Sequence, residues 1–175
     1  MPYADHEWDP DSVDAVLEHA KTQRNVDTDR VYVTGLSLGG SGVWIYAANH
    51  PDKVAAIVPI SGKTNLAIDQ ACNLVDIPVW VFHGSEDNLL STSFPIDMVN
   101  AINGCGDGHY APELTFNQSR GHEGWNEIMN RNAQYEIYTW MLQFAKNDFT
   151  NRPPYVHVGS DFKVLQEDGA TYIYG

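Results

Sequence analysis

The sequence predicts an α/β fold built on a parallel sheet of about four strands with flanking helices. Three observations carry that expectation. Apolar strand-like runs alternate with helix-like stretches along the chain, the pattern of strand–crossover–strand units. The run at 54–60, Val-Ala-Ala-Ile-Val-Pro-Ile, is continuously apolar, as a strand buried on both faces requires. Finally, Val31-Tyr32-Val33-Thr34 leads through Gly35-Leu36-Ser37-Leu38-Gly39 directly into a helix-like stretch, the context of a serine on a strand-to-helix elbow.

Taken in order, Asp9-Pro10-Asp11 opens a helix. Asp and Pro suit its first turn, and Val13, Val16, Leu17 and Ala20 supply an apolar stripe. Residues 25–29 turn into the strand that starts at Val31. A helix over 38–49 follows, with small residues Gly40, Ser41, Gly42, Ala47 and Ala48 allowing close approach to the sheet. After the 54–60 strand come a strand at Pro78-Val79-Trp80-Val81-Phe82, a helix over 96–102 behind Pro95, and a strand at Leu114-Thr115-Phe116-Asn117. A long helix is expected over 127–145, with Ile128, Tyr135, Ile137, Tyr138, Met141 and Leu142 on its apolar face. Asn151-Arg152-Pro153-Pro154 breaks that pattern and reads as a linker.

The chain has 175 residues, a hydrophobic fraction of 43% and five tryptophans, enough for one domain with a core of its own. Its net charge of −13 argues against nucleic acid or an anionic membrane as partner, since both would repel it. No stretch is long and apolar enough to span a bilayer, and no secretory signal precedes the first helix. Cys72 and Cys105 do not have the spacing of a zinc site.

Gly-x-Ser-x-Gly alone is a weak signal, because a glycine-rich loop of any α/β protein can contain it. The rest of the chain strengthens it. In serine hydrolases of this architecture the nucleophile, the acid and the histidine follow in that order. Here His83-Gly84-Ser85-Glu86-Asp87 follows the third strand and Gly121-His122-Glu123-Gly124-Trp125 the fourth. Both loops begin where parallel strands end, which is where such sheets carry their chemistry. Ser37 is therefore the candidate nucleophile, His122 the general base and Asp87 the acid that orients it. The tight turn is expected to leave no room for side chains at Gly35 and Gly39, and Leu38 N–H is one candidate oxyanion donor. His83 and Glu86 are rivals. His83 is read as structural because the base must come from a later loop, and Glu86 is offset by one residue. His109 reads as a surface-loop histidine, Trp44 and Trp80 as core residues, and Trp125 as a wall of the substrate pocket or a core residue. This chemistry calls for no metal and no cofactor.

The same residues resemble a known family. The blocks Asp29-Arg30-Val31-Tyr32-Val33-Thr34-Gly35-Leu36-Ser37-Leu38-Gly39-Gly40, His50-Pro51-Asp52, Ala55-Ala56-Ile57-Val58-Pro59-Ile60-Ser61-Gly62, His83-Gly84 with Asp87, and Gly121-His122 with Trp125 are similar to the secreted esterase branch of the α/β-hydrolase superfamily. That branch holds feruloyl esterases, polyhydroxybutyrate depolymerases and predicted peptidases, and the resemblance runs over about 10–145. It implies a serine carboxylesterase acting on acyl or feruloyl-type esters, small or polysaccharide-linked, with a serine peptidase or a non-catalytic fragment as alternatives. It also implies secretion, and in that setting a Cys72–Cys105 disulfide; in a reducing compartment the two would be buried thiols.

The family carries several strands before the nucleophile strand, and a loop among them supplies a second oxyanion N–H. Only 30 residues precede Val31 here. The first half of a catalytic domain is thus expected to be missing, leaving 1–149 as its C-terminal part and 150–175 as a linker with the start of an immunoglobulin-like module of the PKD type. The strand at Val31 would then have a bare edge, so a homodimer or higher homo-oligomer is expected.

Overall fold

The computed structural model describes residues 8–106, 108–130, 135–148, 163–167 and 170–174. Helix α1 (Pro10–Gln23) begins at Asp9, whose carboxylate accepts from the N–H groups of Asp11 and Ser12, both at 3.2 Å. Val13 and Leu17, one turn apart, pack on the core, while Val16 is rotated outward and 61% exposed. The predicted stripe is therefore narrower than expected, because only one edge of this surface helix meets the rest of the molecule. Lys53 Nζ anchors it through Asp14, at 2.6 Å.

Strands β1 (Tyr32–Leu36), β2 (Ala56–Ile60), β3 (Trp80–Gly84) and β4 (Glu113–Asn117) are parallel and lie side by side in that order. Helices α2 (Leu38–Asn49) and α3 (Ser93–Asn103) cover one face. Short helices α4 (Asn126–Met129) and α5 (Ile137–Met141) lie over the other. Every residue of β2 and β3 is buried, as their continuous apolar runs require. Trp44 and Trp80 are both core residues, at 1% and 3% exposure. Cutting a fully buried Trp44 or Phe82 to alanine removes about 3–5 kcal/mol of packing.

The pairing is uneven. β1 and β2 share five registered pairs, and so do β3 and β4. Between β2 and β3 the only registered strand pair is Ile60 with Phe82, supplemented by an isolated Ile57–Val79 bridge. The backbone bonds there run from Ile57 N–H to the Pro78 carbonyl (3.0 Å) and from Ser61 N–H to the Phe82 carbonyl (2.8 Å).

The long helix expected over 127–145 is two short ones. Asn130, with ψ at 137°, leaves helical geometry and ends α4, and Glu136 (ψ 58°) stands as a non-helical cap before α5. Residues 131–134 lie outside the described residues. The aromatic side chains decide the packing here. Trp140 stacks against Trp80 and Phe144, with ring centroids 5.4 and 4.9 Å apart. Tyr138 and Leu142, expected on the apolar face, are 38% and 60% exposed.

Beyond the predicted linker, which lies outside the described residues, β5 (Lys163–Glu167) and β6 (Ala170–Tyr174) form an antiparallel pair, and β6 runs parallel to β4. The sheet order is therefore β1-β2-β3-β4-β6-β5. These strands extend the edge opposite β1. Among the described residues, no strand pairs with the outer side of β1, and all five of its residues are only partly buried.

Cys72, on the turn of 3-10 helix at Ile68–Leu74, is disulfide-bonded to Cys105 just past α3. Of the two readings, the bonded one holds. Closing a loop of 33 residues removes unfolded-state entropy worth about 3–4 kcal/mol at 25 °C.

One core carboxyl stands apart. Glu113 opens β4 in register with Trp80, on the aromatic face. Burial pushes its carboxyl up to about 7, and the Trp140 side chain draws it back only in part. A carboxyl whose folded pKa is raised favours the fold while it is protonated. That contribution is complete below the unfolded value near 4.5 and is lost as pH rises through about 7. Glu113→Gln is thus expected to match the parent in melting temperature at pH 5 and to exceed it at pH 8, by on the order of 2–3 kcal/mol. A gap that does not change between pH 5 and 8 would contradict this.

Candidate active site

Ser37 sits between β1 and α2 with φ 54° and ψ −117°, the left-handed strain expected of an exposed elbow serine. The sequence forces the strain from several sides. Ser37 N–H donates to the Ile60 carbonyl (2.9 Å), which keeps the elbow in register with β2. A Cβ at Gly35 would come within 2.7 Å of the Gly39 backbone, so the strand and helix can cross only there. The expectation for Gly39 fails. A Cβ there would meet nothing within 4 Å, because Gly39 faces open space in the first helical turn. The tight contact is one residue on, at Gly40, where a Cβ would lie 2.4 Å from the Ile60 carbonyl oxygen. Ser41 adds a brace, its hydroxyl accepting from Lys63 N–H at 2.8 Å.

The three predicted site residues meet. Ser37 Oγ is 2.7 Å from His122 Nε2, and His122 Nδ1 is 2.7 Å from Asp87 Oδ2. A carboxylate can only accept, so Nδ1 carries the proton, and Nε2 is left with a lone pair facing the serine hydroxyl. The Asp87 side chain is 0% exposed. Burial pushes its carboxyl up, but the N–H groups of Leu90 and Leu89 (both 2.9 Å to Oδ1) together with His122 outweigh that and hold it below the usual carboxylate range. Asp87 thus stays charged where an imidazole titrates.

The acid and histidine loops are fastened to each other. Ser85 N–H donates to the Asn117 carbonyl (3.1 Å), Glu86 N–H to the Arg120 carbonyl (2.9 Å), and Ser119 N–H to Ser85 Oγ (3.0 Å). Gly84 permits the approach, since a Cβ there would lie 2.2 Å from the Gly121 carbonyl oxygen. Arg120 pairs with Glu127, and Asn117 Nδ2 donates to the Gly124 carbonyl and to Glu127. None of these braces was expected from sequence. Their only trace is a cluster of small and polar residues after each strand.

The rivals fall elsewhere. Glu86 is exposed. His109 is half exposed and paired with Asp76 at 2.5 Å. His83 is buried at 1% exposure, and its Nε2 donates to the Leu90 carbonyl at 3.0 Å. Trp125 stands edge-on to His122, with centroids 5.2 Å apart, and packs against the aromatic core behind it. Leu38 opens α2, so its N–H has no carbonyl partner within the helix, and its side chain is 42% exposed. Among the described residues, no loop from a strand before β1 approaches Ser37.

A nucleophile elbow on a parallel sheet, with an acid and a histidine on the next loops, defines an α/β-hydrolase fold. The family model for the dienelactone hydrolase family matches residues 6–106, more than half of the chain, and the chain belongs to that family. The matched stretch includes Ser37 and Asp87 and stops before His122. A bifunctional acetylxylan esterase/xylanase from Neocallimastix patriciarum is 30% identical over 87 residues, 50% of this chain and 12% of that protein. A poly(3-hydroxyalkanoate) depolymerase from Paucimonas lemoignei is 39% identical over 51 residues, 29% of this chain and 12% of that protein. Among solved structures, a thermostable esterase superposes with TM-score 0.67 at 25% identity, over 77% of this chain and 36% of that one. The chain spans well under half the length of these relatives. Membership of this family and its esterase relatives make the chain part of an ester-hydrolase lineage.

Proposed function

We propose that this chain carries the nucleophile, acid and histidine of a serine carboxylesterase that hydrolyses acyl or feruloyl-type esters through an acyl-enzyme. The observation that supports this best is the unbroken chain of two 2.7 Å contacts from the strained Ser37 through His122 to the buried Asp87. In this mechanism His122 Nε2 takes the Ser37 proton as Oγ attacks the ester carbonyl. The charged Asp87 stabilises the imidazolium, which then protonates the leaving alcohol. Water, deprotonated by the same nitrogen, releases the acid. Leu38 N–H, at the positive end of α2, faces the developing oxyanion. A single donor in place of two costs about 10²–10³ in rate, so a chain acting alone would be a slow enzyme. Trp125 walls the pocket beside His122. The similarity to an acetylxylan esterase and a polyhydroxyalkanoate depolymerase favours esters borne on a polymer, and the disulfide favours an oxidising compartment, hence secretion.

Chromogenic esters and amides of the same acyl group separate the esterase from a peptidase. Turnover of p-nitrophenyl acetate with none of the matching anilide is the expected result. Amide turnover at a comparable rate would assign a peptidase, and no turnover with either would assign a non-catalytic fragment.

The proposal extends to organisation. Residues 1–149 form the catalytic part, and 150–175 begin a separate unit whose hairpin lodges along β4. The open outer side of β1 pairs with a second copy, giving a homodimer. Light scattering at low micromolar concentration is expected to return twice the chain mass of 19.5 kDa; a stable monomer at that concentration would contradict the pairing.

A further inference from the structure

Asp87 accepts from Leu89 and Leu90 N–H on Oδ1 and from His122 on Oδ2. What holds Leu90 itself is therefore part of what aims the carboxylate. Its N–H is spent on Asp87, and its carbonyl accepts from His83 Nε2 at 3.0 Å. A carbonyl only accepts, so His83 carries its proton on Nε2. That same N–H points its positive end toward Asp87 Oδ2, 3.5 Å away, too far for a good hydrogen bond and near enough for an electrostatic contact. Both ends of the acid loop are thus returned to the end of β3, at Gly84 through Asp87 N–H (3.2 Å) and at His83 through Leu90.

We infer that His83 is the positioning residue of the triad: its neutral imidazole ties Leu90 to β3 and thereby holds Asp87 Oδ2 against His122 Nδ1. This rests on the serine-hydrolase reading above. Its burial supports the role. Desolvation lowers the basicity of His83 more than Leu90 and Asp87 raise it, with His122 adding to the lowering. A neutral His83 leaves the Asp87 charge to His122 alone. A cation there would compete for that charge and weaken the base. His83 Nδ1 is buried without a hydrogen-bond partner, so the ring is held through Nε2 and packing only. That makes Nε2 the atom to test.

Glutamine and asparagine separate this from a plain filling role. The glutamine amide nitrogen falls near the place of Nε2 and reaches Leu90. The asparagine nitrogen falls near Nδ1 and does not. With p-nitrophenyl acetate, His83→Asn is expected to lose about 10–100-fold in kcat at little change in KM, the cost of about an ångström of misalignment. His83→Gln is expected to recover most of that loss. The far-downfield proton that His122 shares with Asp87, seen by NMR, should persist in His83→Gln and broaden or vanish in His83→Asn. Equal kcat and an unchanged resonance in the two variants would overturn the inference while leaving the hydrolase reading intact. An inactive parent protein whose resonance still separates the two variants would keep the positioning role and remove the hydrolase reading. If His83→Asn does not fold, intact activity in a folded His83→Leu, which has no N–H at all, overturns the inference, and its loss upholds it.

Discussion

Replacing Ser37 with alanine is expected to lower kcat/KM for ester hydrolysis by on the order of 10⁵-fold or more while leaving the melting temperature within a degree or two. Only Oγ is removed. The backbone strain at φ 54° is the same for serine and alanine, and the Ser37 N–H to Ile60 bond does not involve the side chain. A fluorophosphonate should label the parent protein at Ser37 and leave the variant unlabelled. Two other serines have positive φ, Ser61 (44°) and Ser119 (54°). Ser61 is buried at 3% exposure and Ser119 has no histidine bonded to it in the site. An adduct on either, or full turnover by the alanine variant, would end the assignment of Ser37.

Asp87→Asn and His122→Ala are each expected to cost about 10⁴-fold, an asparagine amide presenting the wrong pattern of donor and acceptor to Nδ1. His83→Ala should cost far less, because it loosens the acid rather than removing the base. The parent's kcat/KM should climb with pH as His122 gives up its proton. The Asp87 carboxyl, held low, should add no limb of its own at neutral pH. If His83→Ala is the dead variant and His122→Ala retains activity, the histidines have been assigned in the wrong order.

The strand order and the meeting of Ser37, Asp87 and His122 were legible in the sequence because each rests on a local signal. Continuous apolar runs mark buried parallel strands, and a loop after each strand must open at the same end of the sheet. Residues 127–145 misled because aromatic and apolar residues at helical spacing satisfy a helix and an aromatic core equally well. The packing of Trp140 against Trp80 is a contact across 60 residues that no local pattern encodes. Gly39 misled for a similar reason, since a glycine in the motif does not reveal which of its neighbours the sheet approaches. The fastening of the two catalytic loops and the reach of His83 to Leu90 were also hidden. They depend on backbone carbonyls, which every residue type shares.

The uneven pairing of the sheet gives the molecule a seam. Ser37 is carried by the β1–β2 pair, whereas Asp87 and His122 ride together on the β3–β4 pair, locked loop to loop. The line between β2 and β3, with its single registered strand pair, runs between the nucleophile and its base. Acid and base therefore move as one rigid jaw and the serine as the other. A small shear along the seam lengthens the Ser37–His122 contact before it disturbs anything else in the site. Mechanically, the molecule behaves as a switch with one compliant gap: solvent, force or a neighbour that widens the seam turns the chemistry off well before the fold comes apart, and one that clamps it turns the chemistry on.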